Sequence, residues 1–98
     1  MAIARSTTTA DDDRVRVTTL TFEEGDETGH HRHAYDYVVV PVTGGAFEVH
    51  ESDGTTRALD QVAGTPYVGR AGTEHNVVNR SGGTATFVEI ELKSPSPR

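Results

Sequence analysis

Three of the five histidines lie within five residues, in the stretch GHHRH at positions 29–33. Either a solvated, histidine-rich loop or a metal site would explain this clustering. His31 and His33 precede a strongly β-prone run, and residues two apart in an extended chain project from the same face. Their imidazoles could therefore share one ligand space, whereas His30 falls on the opposite face.

A histidine pair alone is weak evidence for a metal, because such pairs are ordinary on protein surfaces. A third ligand is needed, and His75 in GRAGTEHNVVN is the candidate, since it follows a Gly-rich approach and begins another predicted strand. The chain contains no cysteine, which excludes thiolate sites, disulfides and iron–sulfur clusters. Any metal must therefore be held by imidazole, carboxylate, phenolate or water.

The segments around these histidines repeat with a period of two residues, which favours strands over helices. Strands are predicted at 15–22, 35–42, 75–79 and 84–92, and a hairpin with an Asp-Gly turn at 44–59. In the last strand Thr86, Val88, Ile90 and Leu92 share one face. About six to eight short strands with Gly-rich turns predict an all-β sandwich or barrel. The run YDYVVVPV needs cover on both faces, from a closed double sheet or from a dimer interface.

The length of 98 residues predicts one domain. Residues 1–13 are expected to be a flexible arm, or one that orders only against a partner; 14–93 form the domain and 94–98 a disordered tail. The net charge of −6 and the scattered basic residues argue against nucleic-acid binding. No apolar run approaches the roughly 18 residues of a membrane span, and the start lacks the apolar core of a secretory signal. We expect a cytoplasmic protein with no membrane partner.

The spacing of glycines and histidines over residues 25–79 resembles the two sequence motifs of the cupins. The chain is similar to small single-domain cupins, and more narrowly to those associated with β-alanine degradation. This resemblance implies an all-β cupin fold, a double-stranded β-helix or jelly-roll barrel, with one divalent metal ion on His31, His33 and His75. The ion would be Fe, Ni, Mn or Zn. The matching positions are Gly25, His31, His33 and Gly44 in the first motif, and Gly64, Gly72, His75 and Asn79 in the second.

Two positions depart from the motifs: Tyr37 stands where cupins usually have a glutamate, and Arg70 where they have a proline. Tyr37 shares the phase of His31 and His33, so it is our candidate catalytic residue: a fourth ligand, a phenol that orients substrate or moves a proton, or only a filler of space. Tyr35, also in phase, and Arg70 are candidate substrate-binding residues. A guanidinium matches the fork of a carboxylate, although Arg70 could equally lie on an outer turn.

Three hypotheses follow. In the first, the protein is a metal-dependent enzyme (a dioxygenase, isomerase or lyase) acting on a small carboxylated or amino-acid-derived metabolite. The three-histidine set resembles the iron sites of cupin thiol dioxygenases. In the second, the cupin binds or senses a small molecule without turnover, and in the third the metal only stabilises the barrel. Cupins commonly associate through their sheets, so we expect a homodimer, to which the N-terminal arm could add a strand.

Overall fold

The computed structural model describes residues 2–93, and all its regular elements in this range are β-strands. The all-β class predicted from the sequence is therefore confirmed. Within 2–93, no helix could cross a membrane. The strands are β1 (Arg5–Asp11), β2 (Val15–Phe22), β3 (His31–Arg32), β4 (Asp36–Pro41), β5 (Gly45–Glu51), β6 (Thr56–Gln61), β7 (Tyr67–Gly69), β8 (Glu74–Asn79) and β9 (Ala85–Leu92).

The strands form two antiparallel sheets packed face to face. One has the order β1-β2-β9-β4-β7 and the other β3-β8-β5-β6. Strands distant in sequence are neighbours in space, since β9 lies between β2 and β4, and β8 between β3 and β5. This is the jelly-roll arrangement expected from the resemblance, and it brings the two histidine-bearing segments together.

A cluster of three phenylalanines fills one end of the space between the sheets. The ring centroids of Phe22 and Phe87, both in the five-stranded sheet, are 5.2 Å apart, and that of Phe47 in the facing sheet lies 5.3 Å from Phe22. All three side chains are buried. Rings at these separations contribute packing energy beyond their burial. The apolar plug leaves the opposite end of the barrel for polar side chains.

Asn79 closes the loops around this plug. Its Nδ2 donates to the backbone oxygens of Phe22, Glu23 and Gly83, and its Oδ1 accepts from the Ser81 N–H. The side chain is fully buried. The motif position at the end of β8 therefore ties loops by hydrogen bonds and takes no part in the chemistry of the histidines.

The N-terminal segment differs from the sequence prediction. Residues 1–13 were expected to be a flexible arm, or one that orders only against a partner, but Arg5–Asp11 form β1, which pairs along its length with β2 of the same chain. Every residue of β1 is exposed. Because neither face is buried, the strand has no apolar alternation that a sequence reading could detect. The predicted boundary at residue 14 therefore falls inside the five-stranded sheet, and the predicted tail at 94–98 lies outside the described residues.

The outward face of the five-stranded sheet is apolar. We call it the outer valine face and define it by Val17, Val38, Val40, Val88 and Ile90. Register places Val38 and Val17 on either side of Ile90, and Val40 beside Val88. All five are only partly buried, and the neighbouring Val68 of β7 is 61% exposed. The valine run of β4 thus has one face in the core and one on the surface.

Candidate metal centre

Pairing between β3 and β8 brings the histidines together. The register sets His31 directly opposite His75. His33 follows the end of β3, where its backbone N–H donates to the Thr73 oxygen and its own oxygen accepts from the Gly72 N–H. The backbone stays extended as far as His33, so His31 and His33 project to the same side, as the sequence predicted.

The ligand atoms of the three rings converge on one point. His33 Nε2 lies 3.0 Å from His31 Nε2 and 3.2 Å from His75 Nε2. Two ligands at about 2.1 Å from a common ion and at right angles to each other are about 3.0 Å apart. The spacing therefore fits three nitrogens on one face of a single divalent ion.

The hydrogen bonding of His31 fixes its lone pair toward this point. Its Nδ1 is 2.8 Å from the Gly29 backbone oxygen, which can only accept. The proton therefore sits on Nδ1, and the Nε2 of the neutral ring is free to bind a metal. His75 Nδ1 is different: it has no hydrogen-bond partner among residues 2–93, so its tautomer is not held in this way.

Burial keeps the other two rings neutral. Desolvation, followed by the neighbouring His31 and His75, lowers the pKa of His33 to about 4. Desolvation, followed by His31, lowers the pKa of His75 to about 4 as well. At neutral pH a metal therefore displaces no proton from either ring. Neutral imidazoles would also leave the ion its full positive charge.

Tyr37 is held flat between His33 and Gly69. Its ring stacks on that of His33, with centroids 3.8 Å apart and planes 19° from parallel. A Cβ added to Gly69, the residue opposite it on β7, would lie 2.0 Å from Tyr37 Cζ. Only glycine at position 69 leaves room for the ring. The prediction that Tyr37 points into the barrel is correct, since the residue is 4% exposed and lines the cavity beside the histidines.

The environment of Tyr37 favours its protonated form. Burial, with the negative charge of Glu89 next, raises the pKa of Tyr37 to about 12. At neutral pH the phenol keeps its proton and can donate a hydrogen bond. In this environment it is better suited to orienting a ligand than to acting as a base.

A cavity of about 290 Å³ adjoins the histidines. His31, His75 and Tyr37 line it, and Val39 and Val49 supply apolar wall. Arg70, one of the two predicted substrate-binding residues, also lines this cavity and is exposed to solvent.

Tyr35, the other predicted substrate-binding residue, does not line the histidine cavity. It lines a separate pocket together with Asp36 and Leu92. Ala34 and Tyr35 form a bend between β3 and β4, and this bend breaks the two-residue alternation from which the inward orientation of Tyr35 was predicted.

The other two histidines lie outside the centre. His30 is exposed, with its Nε2 3.8 Å from a Glu74 carboxylate oxygen. His50 Nε2 lies 2.7 Å from Glu48 Oε1 on the outside of β5. The placement of His30 agrees with the sequence analysis, which put it on the face opposite His31 and His33.

Three cavity residues with ionisable side chains were not found from the sequence: Arg57, Tyr67 and Glu89. Glu89 lies in FVEIEL, where glutamates alternate with apolar side chains. In a strand with one solvated face such alternation indicates outward carboxylates. Here the pattern is reversed: Val88 and Ile90 face outward, and Glu89 shares the inward face of Phe87. No feature within the strand itself reveals that inversion.

Comparison with known proteins places this chain in a wider group. The chain is 46% identical over 87 residues to the beta-alanine degradation protein BauB of Pseudomonas aeruginosa, covering 89% of this chain and 90% of that protein. A cupin domain from Bordetella pertussis Tohama I is 42% identical, covers 95% of this chain and 96% of its own, and superposes with a TM-score of 0.90. A cupin superfamily protein from Desulfitobacterium hafniense DCB-2, at 19% identity over 93% of this chain and 78% of its own, shares the fold with a TM-score of 0.73. No family model matches the sequence.

The lowered histidine pKa values predict how the stability of the metal-free protein depends on pH. His33 and His75 have folded pKa values of about 4 against 6.5 for an unperturbed histidine. Between these two pH values the unfolded chain binds more protons, so the free energy of unfolding should fall as pH drops from about 6.5 to about 4. Above pH 6.5 these two groups should add no pH dependence.

Urea unfolding of chelator-treated protein at pH 7.5, 6.0 and 5.0 measures this effect. The matched control is the double variant His33→Asn, His75→Asn, which keeps all carboxylates and should show a shallower fall in stability. Equal pH dependence in the two proteins would contradict the prediction.

Proposed function

Since the chain belongs to the cupin family, we propose that it binds one divalent metal ion through His31, His33 and His75 and acts there on a small metabolite. The observation that carries the proposal is the convergence of three Nε2 atoms at separations of 3.0 and 3.2 Å. The metabolite is carboxylated or derived from an amino acid. The name of the Pseudomonas aeruginosa relative, which refers to β-alanine degradation, supports this class.

The ion we propose is Fe, Ni, Mn or Zn; imidazole suits Fe, Ni and Zn, and the chain contributes no thiolate. When bound, the ion would supply a Lewis-acid centre with open positions beside the cavity. Arg70 at the cavity edge would bind a ligand carboxylate, and the Tyr37 hydroxyl would donate a hydrogen bond to a bound ligand. Val39 and Val49 would exclude water from the ligand's apolar part.

A second candidate function is metal-dependent binding or sensing without turnover. Among residues 2–93 every regular element is a strand of the two sheets, which favours it because none of these elements forms a separate lid over the cavity. The two functions share the metal centre and the ligand class. Product formation from a bound metabolite separates them.

Metal titration tests the centre directly. We expect one ion per chain in protein purified without an affinity tag, and a stabilisation of about 2.7 kcal/mol at a free metal concentration 100 times the dissociation constant. His75→Ala should abolish this gain. His30→Ala, which removes an exposed histidine of the same segment, should leave it intact. A melting temperature that chelator does not change at pH 7.5 would contradict the proposal.

Tyr37→Phe tests the role of the phenol. The variant keeps the ring stacked on His33 and over Gly69, so metal affinity should remain nearly unchanged. If the hydroxyl transfers a proton, turnover should fall by up to ~10²–10⁴-fold, and if it only orients the ligand the loss should be smaller. A turnover assay measures the loss of proton transfer, and calorimetric titration with β-alanine measures the loss of ligand binding.

Tyr35→Phe is the matched control, because it removes the same hydroxyl from a residue outside the histidine cavity. Loss of metal from Tyr37→Phe would instead indicate a fourth ligand. Equal behaviour of the two variants with β-alanine would argue that the Tyr37 hydroxyl only fills space.

We further propose that two copies of the chain associate through the outer valine face. The support is the apolar character of this face and the exposure of Val68 and Leu92, at 61% and 40%, beside it. Covering such a face with a second copy would remove apolar area from water.

Ile90→Lys should break this association, because it puts a charge at the middle of the face, between Val17 and Val38. Light scattering after size-exclusion chromatography should give a dimer for the natural sequence and a monomer for the variant. Val62→Lys is the control, since Val62 is 62% exposed and lies outside the outer valine face. A natural chain that is monomeric at the highest soluble concentration would refute the proposal.

A further inference from the structure

Glu89 carries an acid group into the cavity beside the histidines. It lies on β9, paired with Val39 of β4 on one side and Thr18 of β2 on the other. Its side chain is half-buried, and it lines the same cavity as His31 and His75. The proposed metal chemistry assigns Glu89 no role.

The neighbouring glutamate on the same face provides a contrast. Glu91, two residues along, accepts two hydrogen bonds from the Arg16 guanidinium, at 2.8 and 3.0 Å. Glu89 makes no hydrogen bond or ion pair with any group in residues 2–93. Partial burial of a carboxylate that has no protein partner carries a cost, so an unpaired one in a cavity calls for an explanation. A ligand that donates hydrogen bonds to it supplies one.

We propose that Glu89 selects the ligand of this cavity by accepting hydrogen bonds from the ammonium group of a small zwitterion. In place of the contact proposed above for Arg70, the anionic end of the zwitterion faces the three-histidine centre. The inference rests on the proposed function, because the metal supplies the positive charge at that end. It narrows the ligand class from carboxylated metabolites in general to amino acids with a free amine.

The strand geometry supports a short ligand. Glu89 is level with Val39, and Tyr37, which stacks on His33, lies two residues away on the same strand as Val39. Two residues along a strand correspond to about 6.8 Å. Along the strands, the position of Glu89 and the level of the histidine centre are therefore about two residues apart. A spacer of two or three methylene groups suits that distance and would pack on Val39 and Val49.

The charged groups around Glu89 leave its carboxylate available to accept hydrogen bonds from a ligand. Glu91 lies on its own strand and Arg16 on β2, while Tyr37 of β4, Tyr67 of β7 and Arg57 of β6 share the cavity with it. Arg57 is already paired with Glu51, at 2.7 Å. Burial, with Glu91 next, raises the pKa of Glu89 to about 7, while Arg16 lowers it. An ammonium ion favours the carboxylate form, so ligand binding near pH 7 should release protons.

Three probes distinguish the contributions of the two charged ends of the ligand. β-Alanine (3-aminopropanoate) carries both charges, propanoate carries only the carboxylate, and propylamine carries only the ammonium group. In calorimetric titrations of the metal-loaded protein, 3-aminopropanoate should bind at least about tenfold more tightly than propanoate, as expected for a charge-assisted hydrogen bond in a cavity. Glu89→Gln should remove this preference without weakening propanoate binding, because the substitution removes a negative charge from the cavity. Titration in buffers of different ionisation enthalpy should show proton release only with the two amines.

Glu48→Gln is the control, because it removes one carboxylate from the outside of β5 without touching the cavity. If Glu89→Gln does not fold, Glu89→Asp keeps the charge and should keep the preference for the amine. Equal binding of 3-aminopropanoate and propanoate by the natural protein would overturn the inference. So would an amine preference that survives Glu89→Gln, or a natural protein that binds neither amine.

Propylamine separates this inference from the metal proposal. Its binding to chelator-treated protein should still depend on Glu89, because the ammonium site needs no metal. A protein that takes up no metal but binds propylamine through Glu89 refutes the metal centre and supports the ammonium site. If the protein takes up metal but Glu89→Gln does not change its binding of propylamine, the ammonium site alone is refuted.

Discussion

The site depends on the short antiparallel pairing between β3 and β8. It aligns His31 with His75 and Arg32 with Glu74, and β3 consists of only these two residues. A one-residue slip of β3 against β8 would turn the His31 ring to the outside, because strand side chains alternate. Two further backbone hydrogen bonds, joining His33 to Thr73 and Gly72, extend the pairing past the end of the strand. A small number of backbone contacts thus sets the geometry of the whole centre.

The barrel supports this pairing from both sides. β8 is also paired along its length with β5, so His75 lies on a strand with two neighbours. The stacking of His33 on Tyr37 joins the end of β3 to β4 in the other sheet. The rings therefore have little freedom to separate, and the entropy of arranging three ligands is already lost when the chain folds. This rigidity is what a binding site for a small ion requires.

The sequence predicted the parts of the site that follow from local rules. His31 and His33 were placed on one face by strand alternation, and His75 was joined to them through motif spacing. The features it missed depend on how elements pack. β1 is exposed on every residue and carries no pattern, Tyr35 lies in a bend where alternation fails, and Glu89 faces inward on a strand whose apolar side faces outward. For Glu89 the deciding neighbours, Thr18 and Val39, lie far away in the sequence.

The fit of Tyr37 against Gly69 means that these two positions cannot vary independently. Any side chain at position 69 would collide with the ring, so a larger residue there requires a smaller one at position 37. A glutamate at 37, as the cupin motif usually has, would leave the flat space above Gly69 empty and enlarge the cavity. Related chains should therefore exchange the two residues as a pair, and a redesign that restores the glutamate would need a new side chain on β7 to refill the wall.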